Sequence, residues 1–153
     1  MGKSGKKLNI GSYNTSVDEK GRLMIPKAFR TFLEKEIVIS LEFENTLVLR
    51  PQNEFEKWSG LLLSMSYLNR EARILQRKIL GNSMYITIDL KGRILIPKSL
   101  LEQAKMKKTV QVIGTGNKIE IIASEAWEEL MSEDKISIEE AAEKISENKK
   151  NKD

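Results

Sequence analysis

Residues 17–29 of this chain read VDEKGRLMIPKAF, and residues 88–100 read IDLKGRILIPKSL. Seven of the thirteen aligned positions are identical, and the second copy begins 71 residues after the first. Solenoid proteins have shorter and more numerous repeats, so two copies at this spacing are typical of a duplicated half-domain. The sequence therefore predicts two similar halves that pair with each other.

Each copy predicts the same local order of strand, turn, strand and short helix. Gly21 supplies the turn in the first copy because glycine adopts a positive φ without a steric penalty. Pro26 has no N–H to donate, so it ends the second strand and suits the first turn of a helix. The expected elements are strands over 10–17 and 22–25 with a helix over 27–33, and in the second copy a hairpin from 83 onward with a helix over 98–105.

A second pair of strands follows each short helix, because runs of apolar, β-branched residues flank polar turns there. These strands are expected over 37–41 and 47–50, and over 109–113 and 118–122. Each half then ends in a helix that carries a tryptophan, Trp58 or Trp127. The predicted organisation is a first repeat over 8–58, a helical connector over 59–80, a second repeat over 81–130, and a short helix with a flexible tail over 131–153.

Composition restricts the chemistry that the chain can perform. The 153 residues contain no cysteine and no histidine, which excludes disulfides, thiolate nucleophiles, histidine bases and the usual zinc ligands. We predict neither a metal site nor a cofactor. No apolar run approaches the ~20 residues of a membrane span, and the basic N-terminus is not followed by the apolar segment of a secretory signal. A cytoplasmic protein without a membrane partner is expected.

The net charge is +4, and the basic excess lies in the body of the chain. Residues 132–153 contain five lysines and seven acids, so residues 1–131 carry a net charge of +6. This balance is compatible with a nucleic-acid partner. On the connector, Arg70, Arg73 and Arg77 share one helical face. Such a stripe is either a solvated face with ion pairs or a set of phosphate contacts.

The duplicated turns hold the candidate binding residues. The candidates are Lys20, Gly21, Arg22, Lys91, Gly92 and Arg93. Arginine can donate two parallel hydrogen bonds to O6 and N7 of guanine, whereas lysine is a point charge that suits phosphate. We therefore assign base readout to the arginines and phosphate contact to the lysines. Asp18 and Asp89 are expected to orient the guanidinium groups or to accept N–H bonds within the turn.

Two other interpretations use the same residues. The pattern Asp-x-x-Gly-Arg also arises where aspartate and glycine only satisfy turn geometry, in which case the duplicated hairpin is architectural. Alternatively, Asp18 and Asp89 share a proton at a twofold axis, as the paired aspartates of acid hydrolases do. Each aspartate is followed by its own lysine and arginine, which keep both carboxylates ionised. We therefore predict that the protein is not an enzyme.

The sequence around the two turns resembles the MraZ family of bacterial transcriptional regulators, within the wider AbrB-like group. The resemblance covers about residues 8–130 and rests on Tyr13, 17–22, Ile25-Pro26, Phe29-Arg30, 88–93, Ile96-Pro97, the segment 114–120 and Trp127. It implies an α+β, mainly β fold. Two tandem, pseudo-symmetric, swapped-hairpin AbrB-like repeats would form one small barrel with flanking helices.

The resemblance also implies a function. Proteins of this family are DNA-binding regulators of the division and cell-wall gene cluster and associate into rings. We therefore expect a sequence-specific DNA-binding transcriptional regulator that acts on repeated promoter sites in double-stranded DNA, is cytoplasmic and nucleoid-associated, and forms a ring-shaped homo-oligomer such as an octamer. Lys27, Arg30 and Lys98 are further candidate phosphate contacts. The alternative is an oligomeric scaffold or protein-interaction module without sequence-specific readout.

The chain departs from the family pattern in three places. Leu101 stands where the first half has Arg30, so the second short helix lacks that cation and the two halves need not contact DNA equally. Residues 1–7 form a longer and more basic lead than the family pattern has. The tail beyond Leu130 has no counterpart in the motif.

Overall fold

The computed structural model describes residues 7–33, 36–132 and 136–152. The strands within these residues are β1 (Asn9–Ser16), β2 (Arg22–Met24), β3 (Ile37–Leu41), β4 (Leu47–Pro51), β5 (Met84–Ile86), β6 (Arg93–Leu95), β7 (Thr109–Gly116) and β8 (Ile119–Ala123). The helices are α1 (Lys27–Arg30), α2 (Gln52–Leu63), α3 (Arg70–Leu80), α4 (Lys98–Gln103), α5 (Ser124–Leu130) and α6 (Ile138–Lys152), and a 3-10 turn occupies Phe43–Asn45. The expected α+β fold with two similar halves is confirmed.

Six strands form one antiparallel sheet in the order β1-β7-β8-β4-β3-β5. Exchange of the halves maps β1 onto β5, β7 onto β3 and β8 onto β4, so the order reads the same from either edge. A pseudo-twofold axis therefore passes between β4 and β8, where Val48 is paired with Glu120. β1 pairs with β7, β5 with β3, and β4 with β8, so the two halves are joined to each other along the sheet.

The strands β2 and β6 form a separate two-stranded ribbon. Leu23 is paired with Ile94, its own equivalent in the other half, so the ribbon also has a local twofold axis. The N–H of Ile25 donates to the Gly92 carbonyl and the N–H of Ile96 donates to the Gly21 carbonyl, both at 2.9 Å. The ribbon thus connects each duplicated turn with the opposite half.

The expected single small barrel is wrong for the residues that the structure describes. β1 and β5 are the two edge strands of an open sheet, and the ribbon is a second sheet. Each ribbon strand is three residues long and is followed within two residues by a proline, Pro26 or Pro97. Because proline has no N–H to donate, the ladder stops there instead of continuing around a closed barrel.

One core lies between the inner face of the sheet, the ribbon and the two short helices. Leu23 and Ile94 of the ribbon are almost fully buried, as are Phe29 of α1 and Leu100 of α4. The sheet contributes Ile37, Ile39, Leu47, Leu49, Val110, Val112, Ile119 and Ile121. Truncation of one such side chain to alanine costs roughly 2–5 kcal/mol, so this packing holds the ribbon firmly against the sheet.

The outer face of the sheet is covered by helices. Val38, Val48 and Arg50 face away from the core because their neighbours along each strand face towards it, and all three are buried. The Arg50 guanidinium lies 4.0 Å from the centre of the Trp58 ring on α2, and its Nη1 is 2.6 Å from Glu42 Oε2. Helix α3 in turn packs on α2 and β3.

Element boundaries differ from expectation where distant pairing decides them. β7 continues through Gly116, inside the predicted turn over 114–117, because β1 pairs along its whole length. α1 ends at Arg30 and α4 at Gln103, earlier than predicted. α6 runs to Lys152, where the sequence predicts a flexible tail, because glutamate and lysine are good helix formers and no glycine or proline interrupts them. Of the basic lead over 1–7, only Lys7 is among the described residues.

Candidate nucleic-acid interface

The first duplicated turn is held by Asp18. Its Oδ1 accepts hydrogen bonds from the backbone N–H groups of Lys20 and Arg22, both at 2.9 Å, and its Oδ2 accepts one from Arg22 Nε at 2.7 Å. Gly21 has a φ of +89°, and its N–H donates to the Asp18 carbonyl oxygen at 2.9 Å. One carboxylate thus holds both the turn backbone and the arginine guanidinium.

The second turn repeats this geometry. Asp89 accepts from the N–H groups of Lys91 and Arg93 at 2.9 Å each and from Arg93 Nε at 3.0 Å, and Gly92 has a φ of +86°. Each aspartate therefore orients its arginine and accepts N–H bonds within the turn at the same time. Within the described residues, the terminal amino groups of Arg22 and Arg93 form no hydrogen bonds and are available to a ligand.

Both carboxylates are ionised at neutral pH. The backbone N–H of Arg22 lowers the pKa of Asp18 below its ordinary value of 3.8, and the Arg22 guanidinium and the Lys20 N–H act in the same direction against an opposing effect of desolvation. Arg93 and Lys91 lower the pKa of Asp89 in the same way. Two aspartates that share a proton need one carboxyl with a raised pKa. The lowered values argue against the acid-hydrolase interpretation.

The outer face of the ribbon carries both turn arginines. Arg22 is paired with Leu95 and Met24 with Arg93, so these four side chains share the face opposite the buried Leu23. The arginines stand at diagonal corners, roughly 7–8 Å apart between backbones. That separation is close to two base-pair steps of B-DNA, each 3.4 Å along one strand. A two-stranded ribbon is also narrow enough to enter the major groove.

Arg30 lies beside the turn of the opposite half. Its Nε donates to the Ile25 carbonyl at 2.9 Å, and its guanidinium carbon lies 2.5 Å from the position that a Cβ on Gly92 would take. In the second half, Leu101 occupies the corresponding place, with its Cδ1 3.5 Å from the position of a Cβ on Gly21. Arg30, which belongs to the short helix of the first half, therefore lies beside the turn of the second half. Comparing the sequences of the two halves reveals that Arg30 is replaced by Leu101. It does not reveal that each of these side chains packs against the turn of the opposite half.

Four lysines surround the ribbon. Lys20 and Lys91 are exposed in the turns, and Lys27 and Lys98 are exposed at the first residues of α1 and α4. Lys98 lies in the first turn of α4, where a cation opposes the helix dipole. None of the four side chains forms an ion pair in the part of the chain that the structure describes. Ion pairing within the described residues therefore does not account for these charges.

The arginine stripe of α3 does not join this surface. Arg73 Nη1 donates to the Tyr67 carbonyl at 2.8 Å, and Arg70 and Arg77 are exposed. Helix α3 packs on α2, which covers the outer face of the sheet, whereas the ribbon lies on the core side. The sheet therefore separates the stripe from the two turns.

The described residues offer few alternatives to this surface. No group of three or more aspartates and glutamates among them is placed to hold a metal ion. None of the helices in the described ranges is both long enough and apolar enough to cross a bilayer.

Comparison with known proteins agrees with the duplicated architecture. The family model described as "MraZ protein, putative antitoxin-like" matches twice, over residues 8–78 and 79–149. The Transcriptional regulator MraZ of Mesoplasma florum is 37% identical over 139 residues, which cover 90% of this chain and 95% of that protein. The protein of the same name from Dictyoglomus turgidum is 39% identical over 140 residues, with 90% and 96% covered. The chain belongs to the MraZ family of transcriptional regulators.

Proposed function

We propose that this chain is a sequence-specific regulator that reads double-stranded DNA with the ribbon and its two flanking turns. The main support comes from the outer face of the ribbon. Arg22 and Arg93 occupy opposite corners of this face, and each is held by an aspartate in the same geometry. The names of the relatives, all transcriptional regulators, support the same conclusion.

Each type of residue has its own part in the proposed contact. Arg22 and Arg93 present their terminal amino groups to base edges in the major groove, where guanine O6 and N7 accept two parallel hydrogen bonds. Lys20 and Lys91 contact phosphates, which position the protein without reading sequence. The remaining cations near the ribbon, Lys27, Arg30 and Lys98, add phosphate contacts. Because the aspartates already orient the arginines, little side-chain freedom is lost on binding.

The resemblance to the family extends the proposal beyond the single chain. We propose that the targets are repeated promoter sites of the division and cell-wall gene cluster, that the protein is cytoplasmic and nucleoid-associated, and that it forms a ring-shaped homo-oligomer such as an octamer. A ring presents one ribbon for each copy, so weak contacts with repeated sites add through effective concentration. The pairing of β2 with β6 supports a swapped-hairpin relationship of the halves. Neither a catalytic step nor a cofactor is part of the proposal.

Two apolar side chains favour a second candidate function. Met24 and Leu95 occupy the other two corners of the outer face of the ribbon and are 42% and 57% exposed. Exposed apolar side chains beside charged ones are typical of a protein contact. The second candidate is therefore an oligomeric scaffold or protein-interaction module that uses the ribbon as its interface.

The decisive experiment is a fluorescence-anisotropy titration with DNA that carries the repeats of the chain's own upstream promoter, compared with a scrambled duplex, at two salt concentrations. We expect the wild type to prefer the native repeats and the Arg22→Ala/Arg93→Ala variant to lose roughly 1–3 kcal/mol of discrimination per arginine. Affinity should fall steeply with salt because bound phosphates release counterions.

The matched control removes two charges from the other side of the sheet. Arg77→Ala/Lys78→Ala changes exposed residues of α3 and is expected to retain the preference for the native repeats. Equal binding of both duplexes by the wild type, or no binding, contradicts the proposal. Loss of self-association in the Arg22→Ala/Arg93→Ala variant would favour the interaction module instead.

A further inference from the structure

Two exposed apolar side chains, Met24 and Leu95, share the outer face of the ribbon with the turn arginines. Each is paired across the ribbon with an arginine, Leu95 with Arg22 and Met24 with Arg93. Side chains that are directly opposite each other in an antiparallel pair lie on the same face and are close neighbours. The outer face therefore consists of two equivalent pairs, each with one guanidinium and one apolar side chain.

Both halves of the chain have a large apolar side chain at this exposed position. Leu95 follows Met24 by the 71 residues that separate the repeats, so the residue differs between the halves while its apolar character does not. Another exposed position does differ in polarity, since Glu19 of the first turn corresponds to Leu90 of the second. Because Met24 and Leu95 are exposed, burial in the core does not account for their apolar character.

The surroundings of the two apolar side chains differ. Leu95 lies at the first turn together with Leu101, since their Cδ1 atoms are 3.8 Å and 3.5 Å from the position that a Cβ on Gly21 would take. Met24 lies beside Arg30, whose Nη2 donates to the Met24 sulfur at 3.2 Å. Leu95 is also the more exposed of the two. Leu95 is therefore both more accessible and in more apolar surroundings than Met24.

The major groove of DNA offers a specific partner for an apolar side chain. Of the base edges there, only that of thymine presents a methyl group, on C5, whereas the others present hydrogen-bond donors and acceptors. Cross-strand neighbours on a ribbon are roughly 4.5–5.5 Å apart at Cβ, and successive base pairs are about 3.4 Å apart. An arginine that reads a guanine therefore brings its apolar partner to the edge of a neighbouring base pair.

We propose that Leu95 and Met24 are specificity-determining residues that contact thymine 5-methyl groups. Each recognises a thymine next to the guanine that its cross-strand arginine reads. The bound site then contains guanine and thymine in neighbouring base pairs, and Leu95 contributes more than Met24 because it is more exposed. This inference rests on the proposed DNA readout by the arginines and adds a second type of base to it.

Deoxyuridine tests this contact, because it lacks only the 5-methyl group of thymidine and keeps every atom used in base pairing. The probe is a duplex with the repeats of the chain's own upstream promoter, in which thymines are replaced by deoxyuridine one at a time. Fluorescence anisotropy measures the affinity of the wild type for each duplex. We expect replacement of a contacted thymine to weaken binding about fourfold, the effect of one methyl-sized apolar group.

Variants of the protein identify the side chain that makes each contact. Leu95→Ala should bind the thymine and deoxyuridine duplexes equally at one position, and Met24→Ala should do so at another, where the wild type shows the smaller effect. Both side chains are exposed, so their truncation leaves the core intact.

Two further variants separate base recognition from a structural role. Met24→Leu/Leu95→Met gives each half the residue of the other and should keep the preference for thymine. The matched control is Leu90→Ala, which truncates an exposed leucine of the second turn and should also keep that preference. Loss of a structural contact alone would not make a variant indifferent to one methyl group of the DNA.

Failure of this inference and failure of the proposed function give different results. A wild type that prefers the native repeats but binds thymine and deoxyuridine duplexes equally at every position would overturn the methyl contact alone. Loss of the thymine preference in Leu90→Ala, with its retention in Leu95→Ala and Met24→Ala, would assign the contact to the turn. Loss of self-association instead of thymine preference in Leu95→Ala would place that side chain in a protein contact. A wild type without preference for the native repeats would overturn the proposed function, and this inference with it.

Discussion

In the first half of the chain, α1 ends in Arg30, whose guanidinium lies against Gly92 of the opposite turn; in the second half, Leu101 lies against Gly21. The two turns have the same backbone hydrogen bonds and the same aspartate-held arginine. They differ in the side chain that the other half packs against them. The second turn therefore has one more cation close to it than the first, although the two motifs are nearly identical in sequence.

The outer face of the sheet shows the same kind of difference. Arg50 is paired with Val38 across β3 and β4, and Ile122 with Gln111 at the equivalent place across β7 and β8. Both are 3% exposed, yet one is a guanidinium paired with Glu42 and the other is a hydrocarbon. The backbone symmetry of the halves is thus kept while their side-chain chemistry has diverged.

The largest expected effect comes from breaking the buried ion pair between Glu42 and Arg50 in the first half, for which the described residues of the second half show no buried counterpart. Glu42→Gln leaves Arg50 buried without its charged partner, and we expect the free energy of unfolding to fall by about 3–5 kcal/mol. Arg50→Ile/Glu42→Leu, which imitates the second half at Ile122, should recover most of the loss because an apolar pair replaces the charges. Urea unfolding of the three proteins measures this. Equal instability of the single and double variants would contradict it.

The next effect distinguishes the two turn glycines. Both have positive φ, so alanine costs roughly 1–2 kcal/mol at either position. At Gly21 the new Cβ would also lie 2.8 Å from the Ile96 carbonyl oxygen, which is part of the ribbon backbone. At Gly92 the obstacle is the Arg30 guanidinium, a side chain that can move. We expect Gly21→Ala to lower the thermal midpoint more than Gly92→Ala, and equal shifts would show that the two sites are equivalent.

A smaller effect concerns DNA affinity and sharpens the difference between Arg30 and Leu101. Arg30→Leu removes the cation beside the second turn, and Leu101→Arg adds one beside the first. The slope of log affinity against log salt is negative. If each arginine contacts one phosphate, the magnitude of this slope decreases by about 1 in Arg30→Leu and increases by about 1 in Leu101→Arg. Anisotropy titrations over a salt series measure the slopes. Unchanged slopes in both variants would show that Arg30 only supports the turn.

The smallest expected effect is a dependence of stability on pH that both turns share. The folded-state pKa values of Asp18 and Asp89 are lowered from the ordinary value of 3.8. Their contribution to the free energy of unfolding is therefore fully present at pH values above 3.8, and it is lost as the pH falls through the lowered pKa values. Stability should therefore decline below about pH 4. In Asp18→Asn/Asp89→Asn this part of the decline should be absent. Chemical unfolding at pH 7 and pH 3 compares the proteins, and an identical decline in both would exclude these carboxylates as its source.

Local patterns predicted the turns well because their geometry is made within five residues. Asp18 reaches the N–H groups of Lys20 and Arg22 without help from the rest of the chain. Pro26 and Pro97 end the ribbon strands for an equally local reason, since they lack an N–H. The predicted strands and the tryptophan-bearing helices α2 and α5 were also confirmed, with boundaries displaced by a few residues.

The sequence by itself therefore determined the duplication, the element order, the carboxylate-held turns and the resemblance to the MraZ family. Only the tertiary structure decided which strands pair, that the sheet stays open, that Arg30 serves the opposite turn, and that the arginine stripe lies on the other side of the sheet. The physical reason is how far apart in sequence the interacting residues are. Hydrogen bonds within a turn join near neighbours in sequence, whereas β1 pairs with residues about 100 positions away, and that choice depends on how the whole core packs.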